Sequence, residues 1–328
     1  MCAAADLSFR LDVIISLLLV LAAGGAGADE SVAPTAAAAQ SEHAVELEEI
    51  SVQPPEPQFV APTTRDRIGR IWAPVLIDGK GPYRLVLDTG ANRSAVTAHT
   101  ALRLGTEVAS EMSAHVTGFT GAAVVPTVRI ASIEIGDFSL GPSILPVLED
   151  VFGGADGVLS LNGLTRERIF ADFAHDRLEI APSHHERAPA GFAVLPLRMM
   201  NGLPVTTLYV GGVRATAIID TGAQLTVGNV TLREALAREA QSAAVPQNVV
   251  GVTLDKQSGD RIPSPDIQLG QLTIRGMNIV FGDMYLFQQW HLTHEPTLAI
   301  GMDLLGSFDV LILDYAQHEL QLRPRPRH

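Results

Sequence analysis

The chain has 328 residues, 47% of them hydrophobic and 18% charged. That balance excludes a chain disordered over most of its length and leaves room for one large or two medium domains. Net charge is −13, and no basic cluster exceeds the short tail Arg323, Arg325 and Arg327, which excludes a protein held on nucleic acid through its phosphates.

Residues 1–28 read as a signal peptide. Arg10 supplies a weakly basic start, Val13 to Ala23 form an apolar run of suitable length, and Ala26-Gly27-Ala28 offers small residues at a cleavage site. The run is short for a membrane span; an uncleaved N-terminal membrane anchor is the alternative. No later stretch is apolar for long enough to span, so none is expected in the mature chain. The single cysteine, Cys2, falls within this leader. A mature chain without disulfides suits the periplasm, or secretion. Residues 29–65 form an acidic Ala/Pro-rich linker, with Ala36 to Ala39, Glu42, Glu46, Glu48, Glu49, Pro54, Pro55 and Pro57. It has too little apolar surface to offset its ordering entropy and is expected to be disordered; a prosegment or inhibitory arm is the other reading.

From about residue 70 the chain repeats itself. Leu85-Val86-Leu87 leads into Asp88-Thr89-Gly90-Ala91, and Ala217-Ile218-Ile219 leads into Asp220-Thr221-Gly222-Ala223, 132 positions on. Val116-Thr117-Gly118-Phe119-Thr120 then corresponds to Val249-Val250-Gly251-Val252-Thr253, and Asp172-Phe173-Ala174 to Asp314-Tyr315-Ala316. Order is preserved, with an insertion of about ten residues in the second copy, so the period marks a duplicated domain rather than a solenoid. Short apolar runs alternate with turn residues in both copies, which predicts strands. Two short helices are expected: Ala101 to Leu104, stopping at Gly105, and Leu232 to Ala240 behind a capping box of Thr231 and Glu234. The fold class is therefore mainly β: two duplicated β-rich lobes, 66–185 and 190–328, with few short helices.

Each tetrad puts an aspartate where a strand buried on both faces leaves the core. The following glycine is expected to permit the sharp turn that aims backbone N–H groups at the carboxylate. A lone copy would ordinarily be a structural turn cap. Two copies in duplicated units place both carboxyls on one pseudo-two-fold axis. Like charges ~3 Å apart cannot both ionise, so one carboxyl keeps its proton while the other accepts one.

The two tetrads resemble the active-site loops of the aspartic peptidase clan, specifically bacterial retropepsin-like proteins with two fused units. The resemblance implies a bilobal aspartic-protease-like fold and an exported endopeptidase with catalytic Asp88 and Asp220 and no cofactor or metal. It implies that Thr89 and Thr221 interlock the loops, that Gly90 and Gly222 hold the turns, and that flap hairpins around Gly118, Phe119, Gly251 and Val252 close over an extended peptide or protein substrate. One chain carries both halves of the site, so a monomer is expected. Ala299-Ile300-Gly301 fits the family's apolar-apolar-Gly element beside the second loop; Val158-Leu159-Ser160 has serine at the last position. Two other readings are a catalytically weak or inactive peptide-binding module on the same scaffold and a structural envelope protein. His291 and His294 lack the glutamate and third ligand of a zinc motif, and His184-His185 falls in the interlobe linker. Asp172 and Asp314, each ahead of a terminal strand, read as turn or interlobe residues.

Overall fold

The computed structural model describes residues 11–15, 18–20, 49–51, 70–105, 109–136, 138–162, 164–175, 177–236 and 244–325. Three short strands come first: β1 (Leu11–Ile15), β2 (Leu18–Val20) and β3 (Glu49–Ser51). The first lobe follows as β4 (Trp72–Ile77), β5 (Lys80–Leu87), β6 (Ala95–Thr97), α1 (Ala98–Leu104), β7 (Ala109–Gly118), β8 (Ala122–Ile130), β9 (Ile133–Ile135), β10 (Phe138–Leu140), β11 (Ser143–Leu148), β12 (Gly157–Leu159), β13 (Glu167–Asp172) and β14 (Arg177–Pro182). The second runs β15 (Ala193–Pro196), β16 (Arg198–Met200), β17 (Leu203–Val210), β18 (Val213–Ile219), β19 (Val227–Gly228), α2 (Val230–Leu236), β20 (Val245–Gly251), β21 (Lys256–Pro263), β22 (Ile267–Leu269), β23 (Leu272–Arg275), β24 (Asn278–Phe281), α3 (Tyr285–Gln289), β25 (Thr297–Ile300), α4 (Met302–Leu305), β26 (Phe308–Asp314) and β27 (Glu319–Pro324). This is a mainly β fold with a few short helices.

The duplication is legible strand by strand. One sheet runs β1-β7-β8-β11-β6-β12-β5-β4-β9-β10, the other β2-β20-β21-β24-β19-β25-β18-β17-β22-β23-β3. Over the first ten positions these are the same path, with β3 added at the end of the second, so β5 corresponds to β18, and the hairpin β7–β8 to β20–β21. A third sheet, β14-β13-β26-β27-β15, draws strands from both lobes. It fixes the lobes to each other, with Ile169 opposite Leu313 across the boundary.

Alternation in β4 puts Ala73, Val75 and Ile77 inside, as a half-buried strand requires. The last three residues of β5, Leu85, Val86 and Leu87, are buried on both faces, as are Ala217, Ile218 and Ile219 of β18. Each run delivers the next residue, an aspartate, to the interior rather than to solvent. Truncating Leu87 to Ala would leave a cavity worth about 2–5 kcal/mol directly beneath the first loop.

Local signals hold in part. Helix α1 is capped by Thr97, whose side chain accepts the Thr100 N–H, and it stops at Gly105 with φ 66°, the left-handed stop that glycine favours. Helix α2 departs from expectation. Asn229, not Thr231, caps it: Asn229 Oδ1 accepts the Leu232 N–H at 2.9 Å, and its Nδ2 is anchored on the carbonyls of Leu292 and Glu295. Thr231 lies inside the first turn and donates to Thr293 O. A buried asparagine with its own tertiary partners outcompeted the local box; the expected continuation to Ala240 lies outside the described residues.

Most of the segments read from sequence as leader and linker also lies outside the described residues, Cys2 included. Where they are described, both form strands. Glu49–Ser51, expected to be disordered, pairs in parallel with Thr273–Arg275, because the backbone of an edge strand accepts a partner whatever its side-chain composition. No helix among the described residues is long and apolar enough to cross a membrane.

Candidate active site

The register of each lobe positions its aspartate. β12 runs parallel to β5 with Leu159 opposite Leu87, and Asp88 N–H donates to Leu159 O at 3.0 Å. In the second lobe Ile300 lies opposite Ile219, and Asp220 N–H donates to Ile300 O at 3.1 Å. The apolar residues expected beside each loop are the ones that hold it. Gly90 N–H reaches Asp88 Oδ1 at 2.7 Å; Gly222 and Ala223 N–H reach Asp220 Oδ1 at 3.0 and 2.9 Å.

The loops are clasped through their threonines. Thr89 N–H donates to Thr221 Oγ1 at 3.1 Å and Thr221 N–H to Thr89 Oγ1 at 3.0 Å. Each hydroxyl then donates into the opposite lobe, Thr89 to Ile219 O at 2.6 Å and Thr221 to Leu87 O at 2.7 Å. These four buried bonds set the spacing of the two aspartates.

The glycines do something other than expected. Neither Gly90 nor Gly222 is among the positive-φ residues, so neither is needed for a left-handed turn. A Cβ at Gly90 would fall 2.5 Å from the Asp220 carboxyl, and one at Gly222 would collide with that of Asp88. Glycine is required because each loop backbone lies against the other lobe's carboxyl.

Asp88 and Asp220 are both fully buried, and no protein donor reaches Oδ2 of either. Two orphaned buried acceptors are costly, and one proton shared between the carboxyls supplies the missing bond. Burial pushes Asp88 up to about 6, against the opposing pull of the Gly90 N–H, Asp220 and the Arg70 cation. Burial, with the charge of Asp88 added, raises Asp220 well above the ordinary carboxylate range. The pair is thus set to hold one proton, and the Arg70 cation favours the charge on Asp88.

Sequence reasoning missed Arg70. It is 4% exposed and its guanidinium donates to Gly222 O at 3.4 Å, placing a buried cation at the seam of the two loops. The available signal was a charge heading the apolar run that starts at Ile71. Ser160, which departs from the family's glycine, is accommodated: its Oγ donates to Ala91 O at 2.6 Å, bracing the loop, and its N–H donates to Ser94 Oγ. At the equivalent Gly301 a Cβ would meet Leu225 O at 2.5 Å, so only the first lobe has space for a side chain there.

The segments around Gly118 and Gly251 are hairpin tips, and they meet. Thr120 Oγ1 donates to Asp255 O at 2.7 Å and accepts the Gly251 N–H at 2.8 Å. Phe119 and Val252 are both buried. Asp172 and Asp314 lie away from this site and close turns, accepting N–H groups of Ala174, His175 and Gln317. His184, His185, His291 and His294 are exposed.

Residues 73–162 and 206–304 each match the family model described as aspartyl protease. The chain belongs to the aspartyl protease family. Each matched stretch in this family member contains one Asp-Thr-Gly-Ala loop, one of the two hairpins whose tips meet and one supporting apolar strand. Solved structures similar to it include basic 7S globulin from soybean, 10% identical with a TM-score of 0.40 over 78% of this chain and 91% of that one. Others are edgp, 11% identical, TM-score 0.35, over 80% and 96%, and a retropepsin-like aspartic protease from Rickettsia conorii, 16% identical, TM-score 0.25, over 40% and 89%. Among curated proteins none matches the sequence.

Proposed function

We propose that the protein is an exported aspartic endopeptidase that hydrolyses peptide bonds of an extended chain held between its lobes. The observation that carries this reading is the pair of buried carboxyls, one from each duplicated loop, whose inner oxygens have no protein donor. Ionised Asp88 takes a proton from a water between the carboxyls, and the water oxygen bonds to the substrate carbonyl carbon. The carbonyl electron pair moves onto its oxygen, which takes the proton of Asp220 and gives a neutral diol. Collapse of the diol returns a proton to Asp220 as the C–N bond breaks, while the amine leaves with the proton held by Asp88. No metal or organic cofactor enters these steps. Export, to the periplasm or outside the cell, is supported by the apolar run and the small residues at Ala26-Gly27-Ala28.

A second reading, a peptide-binding module without hydrolysis, is favoured by the closure of the hairpin tips, which leaves Thr120 and Asp255 clasped over the cleft. Cleavage-site profiling of the purified chain on a peptide library, beside Asp88→Asn, separates the two. Cuts that vanish in the variant establish the peptidase; binding without cuts establishes the module.

A further inference from the structure

The described residues of the apolar run read as part of a leader lie between the active-site loops and the hairpin tips. β1 lies parallel to β7, with Leu11 opposite Ala114 and Ile15 opposite Gly118. On its other edge Ile15 bridges Ala91 of the first tetrad. Ile14 N–H donates to Asn92 Oδ1 at 2.8 Å, and Asn92 N–H donates to Ile14 O at 2.9 Å. β2 pairs antiparallel with the second hairpin, Leu18 opposite Gly251 and Val20 opposite Val249. The segment therefore adds a strand to one hairpin and then to the other.

Side chains of β1 alternate between the lobes. Val13 and Ile15, 1% and 0% exposed, sit in the first lobe's cluster with Val86, Ala91, Val116 and Val252. Ile14 rests on the second lobe's cluster, which holds Phe119 and Ala223. Asp12, the charged residue of the strand, is exposed. Main-chain pairing holds any extended peptide, whereas the pockets for alternate side chains choose among them. Both walls here are apolar and mostly aliphatic, with Phe119 in the second.

Resting on the peptidase reading above, we infer that the cleft selects extended aliphatic segments and that residues 11–15 and 18–20 occupy it in cis in that way, blocking the site of the full chain. A tethered ligand acts at an effective concentration of about millimolar or higher, so a substrate in trans must displace it. Removal of residues 1–28 takes the occupant away, which makes export and unblocking one event.

The test uses a fluorescein-labelled peptide copying residues 9–21 with a C-terminal lysine tail. Its anisotropy is titrated with full-length Asp88→Asn and with the same chain carrying Val13→Asp and Ile15→Asp. The probe is expected to bind the second chain about tenfold or more tightly, as when the unblocked state is a tenth of the population or less. A probe bearing the same two aspartates is expected to bind neither. Equal affinity for the two chains overturns the block, and no binding to the second overturns the aliphatic preference. Hydrogen exchange at Ile14 in Asp88→Asn needs no change in the segment: slowed exchange supports occupancy in cis, and exchange at the free-coil rate overturns it. The chain with an intact dyad and Val13→Asp and Ile15→Asp is then incubated with the probe and read by mass spectrometry. A probe bound but uncut leaves this inference standing and overturns the peptidase reading.

Discussion

Phe119 and Val252, the tip residues of the two hairpins, exchange lobes. Phe119 packs in the second lobe's core with its ring 5.3 Å from that of Phe287, edge to face. Val252, 2% exposed, packs in the first lobe's core. Each hairpin is thereby latched by the core of the opposite lobe.

Truncating a latch should therefore loosen both hairpins. Phe119→Ala is expected to cost about 3–5 kcal/mol, read from the urea midpoint. Hydrogen exchange should accelerate over 109–130 and also over 245–263, in the other lobe. Acceleration confined to the first hairpin would show that the tips are latched independently.

The dyad should trade stability against chemistry. Asp88→Asn and Asp220→Asn are each expected to lower turnover by about 10²-fold or more while leaving the fold intact. Both carboxyls have raised folded-state values, so the folded protein binds more protons than the unfolded chain as pH passes from 3.8 to about 6. Stability then falls as pH rises through that window. Either asparagine removes one carboxyl whose ionisation burial opposes, so each variant should melt at a higher temperature than wild type at pH 7, with the difference vanishing near pH 3. A lower melting temperature at pH 7 for both variants would contradict the raised values.

Arg70 should set the acid limb of the rate profile. Two coupled ionisations give a bell-shaped dependence on pH, and the Arg70 cation favours ionised Asp88. Replacing it with Met withdraws that pull, so the acid limb of kcat/KM should move to higher pH. Arg70→Lys, which keeps a charge, should restore part of the shift. An unmoved limb in Arg70→Met with an intact fold would confine Arg70 to bracing Gly222.

One chain should make one site. The threonine clasp joins two lobes of the same polypeptide, and covalent linkage gives the second lobe an effective concentration of about millimolar or higher. A statine-type transition-state analogue should titrate at one molecule per chain that sediments as a monomer, once the site is free. Mixing Asp88→Asn with Asp220→Asn should restore nothing; recovered cleavage together with a dimer in sedimentation would place the site between chains.

Much of this protein is written in local pattern. The tetrads after Leu85–Leu87 and Ala217–Ile219, their order with the hairpins and terminal turns, and the stop of α1 at Gly105 follow from burial period and turn chemistry, which neighbouring residues decide among themselves. They suffice for two β-rich lobes and for pairing Asp88 with Asp220. Tertiary structure decided what depends on residues far apart in the chain. Gly90 is required by the carboxyl of Asp220 rather than by its own φ, and Asn229 displaced a plausible local cap because Leu292 and Glu295 hold it. Arg70 reaches the seam, Phe119 and Val252 exchange cores, and residues 11–15 enter the cleft through contacts whose partners leave no periodic trace beside them. Such contacts are set by which surfaces the folded lobes bring together, and only the packed molecule contains that information.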